Sequence, residues 1–336
     1  MRPPTIRDVA ERAGVSKSLV SLVLRDSGRV RPEKRDAVLR AVRELGYRPN
    51  AAARSLSEQR TRTVGVLLDD LRNPWFVELL DGLNSLLHGA GLHMLLADAR
   101  LNRRLGHDLA EPFVDLGVDG LVVVGTVPDA GALGALARRM PVVVAGAHEH
   151  RAPGVDVVAG DDERGARLVT GHLLGLGHRR IAHLAGHGEV GALRRRGFEA
   201  AMRARGAEPL VEPGDLTEEG GYRGTVRLLG RGERPTALFC VNDMAAIGAL
   251  SAAAELGLRV PGDLSVAGYD NTGVSRLRHL WLTTVDAAPH EMGRRAARRL
   301  LDRFERPDGE GLVHLTVPAL RVRGTTGPPP AGGLTG

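Results

Sequence analysis

An all-α helix-turn-helix headpiece followed by a two-lobed α/β domain with parallel sheets is the fold this sequence predicts, on three observations. Residues 5–24 carry the spacing of two short helices around a glycine turn. The first 60 of 336 residues hold 14 Lys or Arg against 7 Asp or Glu, a net of +7 in a chain whose total is +6, so essentially all the excess positive charge lies in one sixth of the chain. From Thr63 onward, apolar runs alternate with helical segments, the texture of βαβ units.

In the headpiece, Ile6, Val9, Ala10 and Ala13 recur at helical spacing, with Asp8 and Glu11 near the positive end of the helix. Gly14 ends this helix because glycine takes a left-handed turn without a steric penalty. Ser16 is placed to cap a second helix, whose inner face carries Val20 and Val23 or Leu24. Pro32 and Glu33 suit the start of a third, with Val38, Val42 and Leu45 inward and Gly46 as its stop. Two core helices of any small bundle would show the same pattern, but the concentrated positive charge favours a surface that meets phosphates. In such folds the second helix enters the major groove, which makes its outward residues Lys17, Ser18 and Leu22 the candidates for base edges. Ser16, Ser21 and Arg25 are placed for phosphate, or are simply solvated. Asn50 can cap a short alanine-rich helix through Ser57, marginal by itself and expected to order on DNA.

The remaining chain reads as two α/β series. Strands are expected at residues 64–68, 94–97, 121–124 and 142–145, with helices beginning near Phe76 and Arg104 and with Pro112 shortening the second. A second series has strands at 156–159, 181–185, 237–241 and 265–268 and helices at 165–176, 195–205, 220–229 and 244–256. A helix over 289–304 and a strand over 312–317 follow. Polar residues stand after the strands: Asp69 and Asp70, Asp98, Asp161, Asn242 and Asp243, and Asp270. Such groups line the crevice where open α/β sheets bind ligands, and acceptors converging on one cleft suit a neutral, hydroxyl-rich molecule. Helix capping is the competing account of each, and of equal weight for Asp69, Asp162 and Asp243.

Composition sets further bounds. A length of 336 residues allows a small domain plus a larger two-lobed one. One cysteine, Cys240, in an apolar run, cannot form an internal disulfide and favours a reducing cytoplasm. No apolar run approaches a membrane span and the start reads directly into the helix-turn-helix, so no membrane partner is expected. His148-Glu149-His150 alternates as metal ligands can, but no third ligand accompanies it and no metal is assigned. His178 reads as a turn or cap residue. The Gly- and Pro-rich tail 327–336 is expected to be disordered, and it carries no leucine heptads.

The blocks Gly46-Tyr47-Arg48-Pro49-Asn50-Ala51-Ala52-Ala53-Arg54-Ser55-Leu56, Asn73-Pro74-Trp75-Phe76, Arg194 ahead of Gly197-Phe198, Val241-Asn242-Asp243, Gly268-Tyr269-Asp270-Asn271 and Leu282-Thr283-Thr284-Val285 occur in order after the helix-turn-helix. With them the chain resembles the lactose-repressor (LacI) family of bacterial transcription regulators from Thr5 to about Arg323. The resemblance implies a headpiece over 1–49, a hinge and linker over 50–62, and a periplasmic-binding-protein-like effector and dimerisation domain over 63–326. It places Thr5, Asn50 and Arg54 with the DNA-facing residues and makes Leu56 a wedge into the minor groove at a central CpG step. It implies effector contacts for Trp75, Phe76, Asp98, Asp161, Arg194, Leu216, Asn242 and Asp270. Two departures stand out. Leu22 occupies a position where many relatives carry a polar residue and can touch only apolar groups such as a thymine methyl. Leu216 stands where relatives often carry Phe, which weakens a stacking surface and favours a sugar over a flat purine.

The expected protein is therefore a homodimeric, effector-controlled repressor of double-stranded operator DNA, without cofactor and not an enzyme. No phosphate loop, Gly-x-Ser-x-Gly elbow or metal cluster offers a catalytic centre. A sugar-binding transport protein is the second reading, opposed by the basic headpiece. A nucleoid-shaping protein without an effector is another.

Overall fold

A computed structural model describes residues 2, 4–24, 30–47, 60–101, 110–125, 130–148, 152–232 and 234–330. The chain divides into two compact units, Met1–Arg62 and Thr63–Gly336.

The first unit is built by local chemistry. Helix α1 (Ile6–Ala13) opens on Asp8, whose carboxylate accepts from the Thr5 backbone N–H and hydroxyl, both at 2.7 Å. It closes on Gly14 at φ 64°, where the Val15 N–H turns back to the Ala10 carbonyl at 3.0 Å. Helix α2 (Lys17–Leu24) starts under Ser16, whose Oγ accepts from Leu19 N–H at 3.2 Å. Helix α3 (Pro32–Leu45) ends on Gly46 at φ 60°. Val9, Ala10, Val20, Val23, Val38 and Ala41 form the shared core, so Val23, not Leu24, takes the inner position on α2. On α3, Val42 and Leu45 pack at the rim while Ala41 goes inside.

The second unit holds two six-stranded sheets. In chain order it runs β1 (Thr63–Leu68), α4 (Pro74–Gly89), β2 (His93–Asp98), α5 (Glu111–Asp115), β3 (Gly120–Val124), α6 (Ala130–Ala137), β4 (Val142–Ala145) and β5 (Val155–Gly160). Then come α7 (Asp162–Gly175), β6 (Ile181–Ala185), α8 (Gly188–Arg203), β7 (Leu210–Pro213), α9 (Glu218–Leu229), β8 (Ala237–Cys240), α10 (Asp243–Glu255) and β9 (Ser265–Tyr269). A 3₁₀ turn (Gly273–Arg276), β10 (Thr283–Asp286), α11 (Pro289–Glu305), β11 (Val313–Thr316) and β12 (Ala319–Arg321) complete it. The first lobe has strand order β11-β5-β4-β3-β1-β2 and the second β12-β10-β9-β8-β6-β7; all pairs are parallel except β10 with β12. Apolar clusters cover both faces of each sheet, which is why their strands read as unbroken apolar runs.

This partition corrects the linear reading in two series. Strand β5, placed by sequence at the head of the second series, belongs to the first lobe, as do α11 and β11. The chain crosses between lobes three times, after Gly160, between Asp286 and Pro289, and between Thr316 and Ala319. Thr316 knits these crossings, its hydroxyl lying 3.3 Å from the Ala159 carbonyl and 3.0 Å from that of Ala287. Pro112 lies in the first turn of α5, where its missing N–H leaves no helix bond unmade.

The end of the chain is held further than composition suggests. Ser265 and Gly327 exchange two hydrogen bonds of 3.0 Å, and buried His178 lies 2.9 Å from the Gly327 carbonyl and 2.8 Å from Thr236 Oγ1. His178 is thus an anchor for residues 323–330, not a turn or cap residue. Among the described residues no helix is long and apolar enough to cross a membrane.

Candidate functional site

Two surfaces follow from this architecture, one on each unit. On the headpiece, α2 turns Val20 and Val23 inward, which leaves Ser16, Lys17, Ser18 and Leu22 outward, with Leu22 43% exposed. Ser21 is half-buried. The outward set is the expected base-reading face, except that Ser16 also caps α2 and Thr5 spends its hydroxyl on Asp8. Arg25, Asn50, Arg54 and Leu56 lie outside the described residues.

On the second unit, every crossing leaves the carboxyl end of a parallel strand, so the carboxyl ends of both sheets face one cleft. Arg194 is its centre. Helix α8 brings it there because Gly191 and Gly197, on the same face, let the helix press onto its neighbours: a Cβ at either would sit 2.3 Å from the carbonyl oxygen of Gly186 or Glu163. Buried Arg194 donates from Nε to Asp162 Oδ1 at 2.8 Å, from Nη1 to the Val241 carbonyl at 2.7 Å and from Nη2 to Asp270 Oδ1 at 3.3 Å. Its guanidinium lies 3.6 Å from the centroid of the Tyr269 ring. The Tyr269 hydroxyl is buried without a hydrogen-bond partner, in space that exists because Gly165 has no side chain; a Cβ there would stand 2.1 Å from it.

The electrostatics are those of acids crowded around one cation. Burial raises Asp270 to about 8, reinforced by the charges of Asp243 and Asp162 and opposed by Arg194. Burial acts in the same direction on Asp162, but Arg194 and His148 outweigh it and hold that carboxyl below its usual range. Asp270 also sits at φ 105°, a conformation that L residues rarely adopt. The cluster therefore offers a guanidinium, an ionised carboxylate and a carboxyl that holds its proton near neutrality, donors and acceptors together.

The structure sorts the sequence-derived residues. Asp270 joins Arg194 directly; Asn242 lies beside it as the cap of α10, accepting from Ala245 N–H and donating to the Leu216 carbonyl, both at 2.9 Å. Asp161 is the capping residue of α7, accepting from Arg164 N–H at 3.0 Å, and the neighbouring Asp162 is the one that meets Arg194. Asp98 spends its two oxygens on the Leu71 and Leu101 N–H groups, at 3.0 and 2.9 Å, and so ties the chain after β1 to the end of β2. Asp243 accepts from the Thr272 N–H at 2.8 Å and from the Thr272 and Thr284 hydroxyls at 2.9 and 2.5 Å. Trp75 and Phe76 meet edge to face at 5.1 Å, packed against Gly146 and Gly125 at the ends of β4 and β3, and Trp75 Nε1 is buried without a partner. Leu216 is half-buried and packs beside Gly186.

Asp162, Tyr269, His148 and Glu189 were not singled out as effector residues from sequence. Tyr269 lay inside the Gly-Tyr-Asp block and was the most accessible of them. His148 sat in a motif that pointed to metals.

The first 50 residues and the second half of the chain each match a family description: residues 5–50 match bacterial regulatory proteins of the lacI family and residues 170–326 a periplasmic binding protein-like domain. The HTH-type transcriptional repressor PurR of Erwinia tasmaniensis is 36% identical over 308 residues, which cover 89% of this chain and 90% of the relative. The chain belongs to the LacI family. Among solved structures, this LacI-family chain is similar to the Lac repressor dimer bound to operator and the anti-inducer ONPF, at TM-score 0.86 and 29% identity over 97% of this chain and all of the other. It is also similar to the transcriptional regulator CelR in complex with cellobiose, at TM-score 0.71 and 31% identity over 96% and 99% of the two chains. It is a DNA-binding repressor with an effector-binding domain.

Proposed function

We propose that this LacI-family repressor works in the cytoplasm as a homodimer on a near-palindromic operator and is switched by a sugar or related polyol held in the cleft around Arg194. One observation carries the choice of ligand: Arg194 bonds to Asp162 and Asp270 in a single buried cluster that also contains a protonated carboxyl, a set of donors and acceptors suited to hydroxyl groups. Half-buried Leu216 offers no aromatic face to a flat base. The Lac repressor dimer on its operator and the CelR–cellobiose complex support the same reading by similarity. Effector and operator are then coupled reciprocally, because a ligand that prefers one arrangement of the lobes must bind more tightly when DNA prefers it too.

The test is selection of duplexes from a random pool by the purified protein, followed by calorimetry across panels of sugars and of nucleobases. A palindrome with a central CpG and heat from a sugar are expected; heat from a nucleobase alone would reject the sugar. Leu56→Ala should weaken operator binding in a salt titration while leaving thermal unfolding of the effector unit in place, and an unchanged affinity removes Leu56 from the mechanism. Leu22→Arg should move the preferred base from T towards G at the position it reads, a change of about 1–3 kcal/mol in discrimination. Identical selected sequences from the two proteins would show that Leu22 reads no base.

A further inference from the structure

The two lobes also touch across the cleft, and one of these contacts is made by a residue that the effector reading leaves unused. His148 follows β4 in the first lobe; Asp162 and Glu189 stand in the first turns of α7 and α8 in the second. The His148 backbone N–H donates to Glu189 Oε2 at 2.6 Å, and its Nε2 lies 3.4 Å from Asp162 Oδ2. The other oxygen of Asp162 holds Arg194, so the carboxylate that orients the clamp is gripped from both lobes. Elsewhere in the unit, Arg276 of the second lobe is paired with Glu78 on α4 of the first. That pair stays charged throughout the neutral range, whereas an imidazole does not.

We infer that His148 is a positioning residue of the effector site supplied by the opposite lobe, and that its proton sets how firmly the lobes close and hence how tightly the repressor holds its operator. The inference rests on the reading of the cleft as the effector site coupled to DNA. Its surroundings favour the charged imidazole: burial lowers the proton affinity, but the contact with Asp162 and the charges of Asp162 and Glu189 outweigh it, raising His148 above its ordinary 6.5. Arg194, the nearest cation in the cluster, is already paired with Asp162 and Asp270. A histidine raised on closure contributes its stabilisation fully below about pH 6.5, and that contribution is lost as pH rises through the higher value of the closed state. The closed arrangement is therefore favoured on the acid side of neutrality.

The sequence makes the effect readable. The twelve histidines all lie beyond residue 62, the first being His88, so the DNA-binding unit has no imidazole of its own to titrate. Of the other histidines that are shifted, His172, His178, His183 and His314 move downward through burial, opposite to His148.

The experiment measures operator affinity of the full chain by fluorescence anisotropy between about pH 6 and pH 8.5 at fixed ionic strength, for the wild type, His148→Gln and Glu189→Gln, using a duplex obtained by selection. The wild-type Kd is expected to change by about three- to tenfold across the range, as a shift of up to one unit allows. The change should vanish in His148→Gln and move to lower pH in Glu189→Gln, which keeps an acceptor and loses a charge. Histidine-ring NMR of the same protein, assigned by the His148→Gln difference, should show His148 titrating above 6.5. Equal pH slopes in wild type and His148→Gln, or titration of His148 at or below 6.5, would overturn the latch. If no duplex is enriched, the repressor reading fails on its own, and the NMR titration still decides whether the lobes hold a proton between them.

Discussion

Arg194→Ala is expected to remove about 3–5 kcal/mol of unfolding free energy and to abolish effector binding, because it leaves two buried carboxyls facing each other without their cation. The loss is measured by urea unfolding of the full chain. Its pH dependence identifies the cause. Asp270, raised from 3.8 to about 8 by burial, binds a proton in the folded state that it releases on unfolding, so its contribution to stability falls as pH rises between those values. Without the guanidinium, Asp162 loses the charge that holds its carboxyl low and follows the same course. The variant should therefore lose stability more steeply than the wild type from about pH 4 to pH 8. Arg194→Lys keeps a charge but cannot span Asp162, the Val241 carbonyl and Asp270 at once, so it should recover part of the stability and none of the effector affinity. Parallel stability curves for wild type and Arg194→Ala would show that the cluster carries no net electrostatic work.

Gly248→Ala should destabilise the effector unit by about 3 kcal/mol or more, since added atoms in a closed contact force the backbones apart. Helices α9 and α10 touch through reciprocal glycines: a Cβ at Gly248 would stand 1.9 Å from the Glu218 carbonyl oxygen, and one at Gly221 2.0 Å from that of Ala245. These neighbours are main-chain atoms on a packed helix and cannot turn aside as a side chain would. Gly171 supplies the control. It lies in α7 with nothing within 4 Å of the position its Cβ would take, so Gly171→Ala should stabilise by about 0.5–1 kcal/mol through the unfolded chain. Shifts of the same sign in the two variants would refute the close-packing account. The same device recurs between α4 and α11, where Gly82 and Gly293 face the carbonyl oxygens of His290 and Leu79 at 2.0 Å.

The headpiece was legible residue by residue. Gly14, Gly46, Ser16 and the apolar positions act within a few residues of themselves, so their roles survive translation into three dimensions. The strands were equally plain as apolar runs, but nothing in a run says which sheet receives it. Strand β5 and the segment from Pro289 to Thr316 look like members of a second series; they fold into the first lobe because the chain crosses three times. Likewise Asp161 and Asp162 are indistinguishable as letters. A capping residue curls its carboxylate back onto the helix, while its successor is turned about 100° around the axis, and here only the latter meets Arg194.

Local order therefore settled the secondary structure, the DNA-facing helix and the family, since caps, turns and periodicity are properties of neighbouring residues. The membership of the lobes, the choice of Asp162 over Asp161, the Tyr269 platform and the His148 contact were settled by long-range packing. Each depends on groups brought together from distant parts of the chain, as His148, Asp162, Arg194 and Asp270 are, and no spacing along a sequence encodes a distance across a cleft.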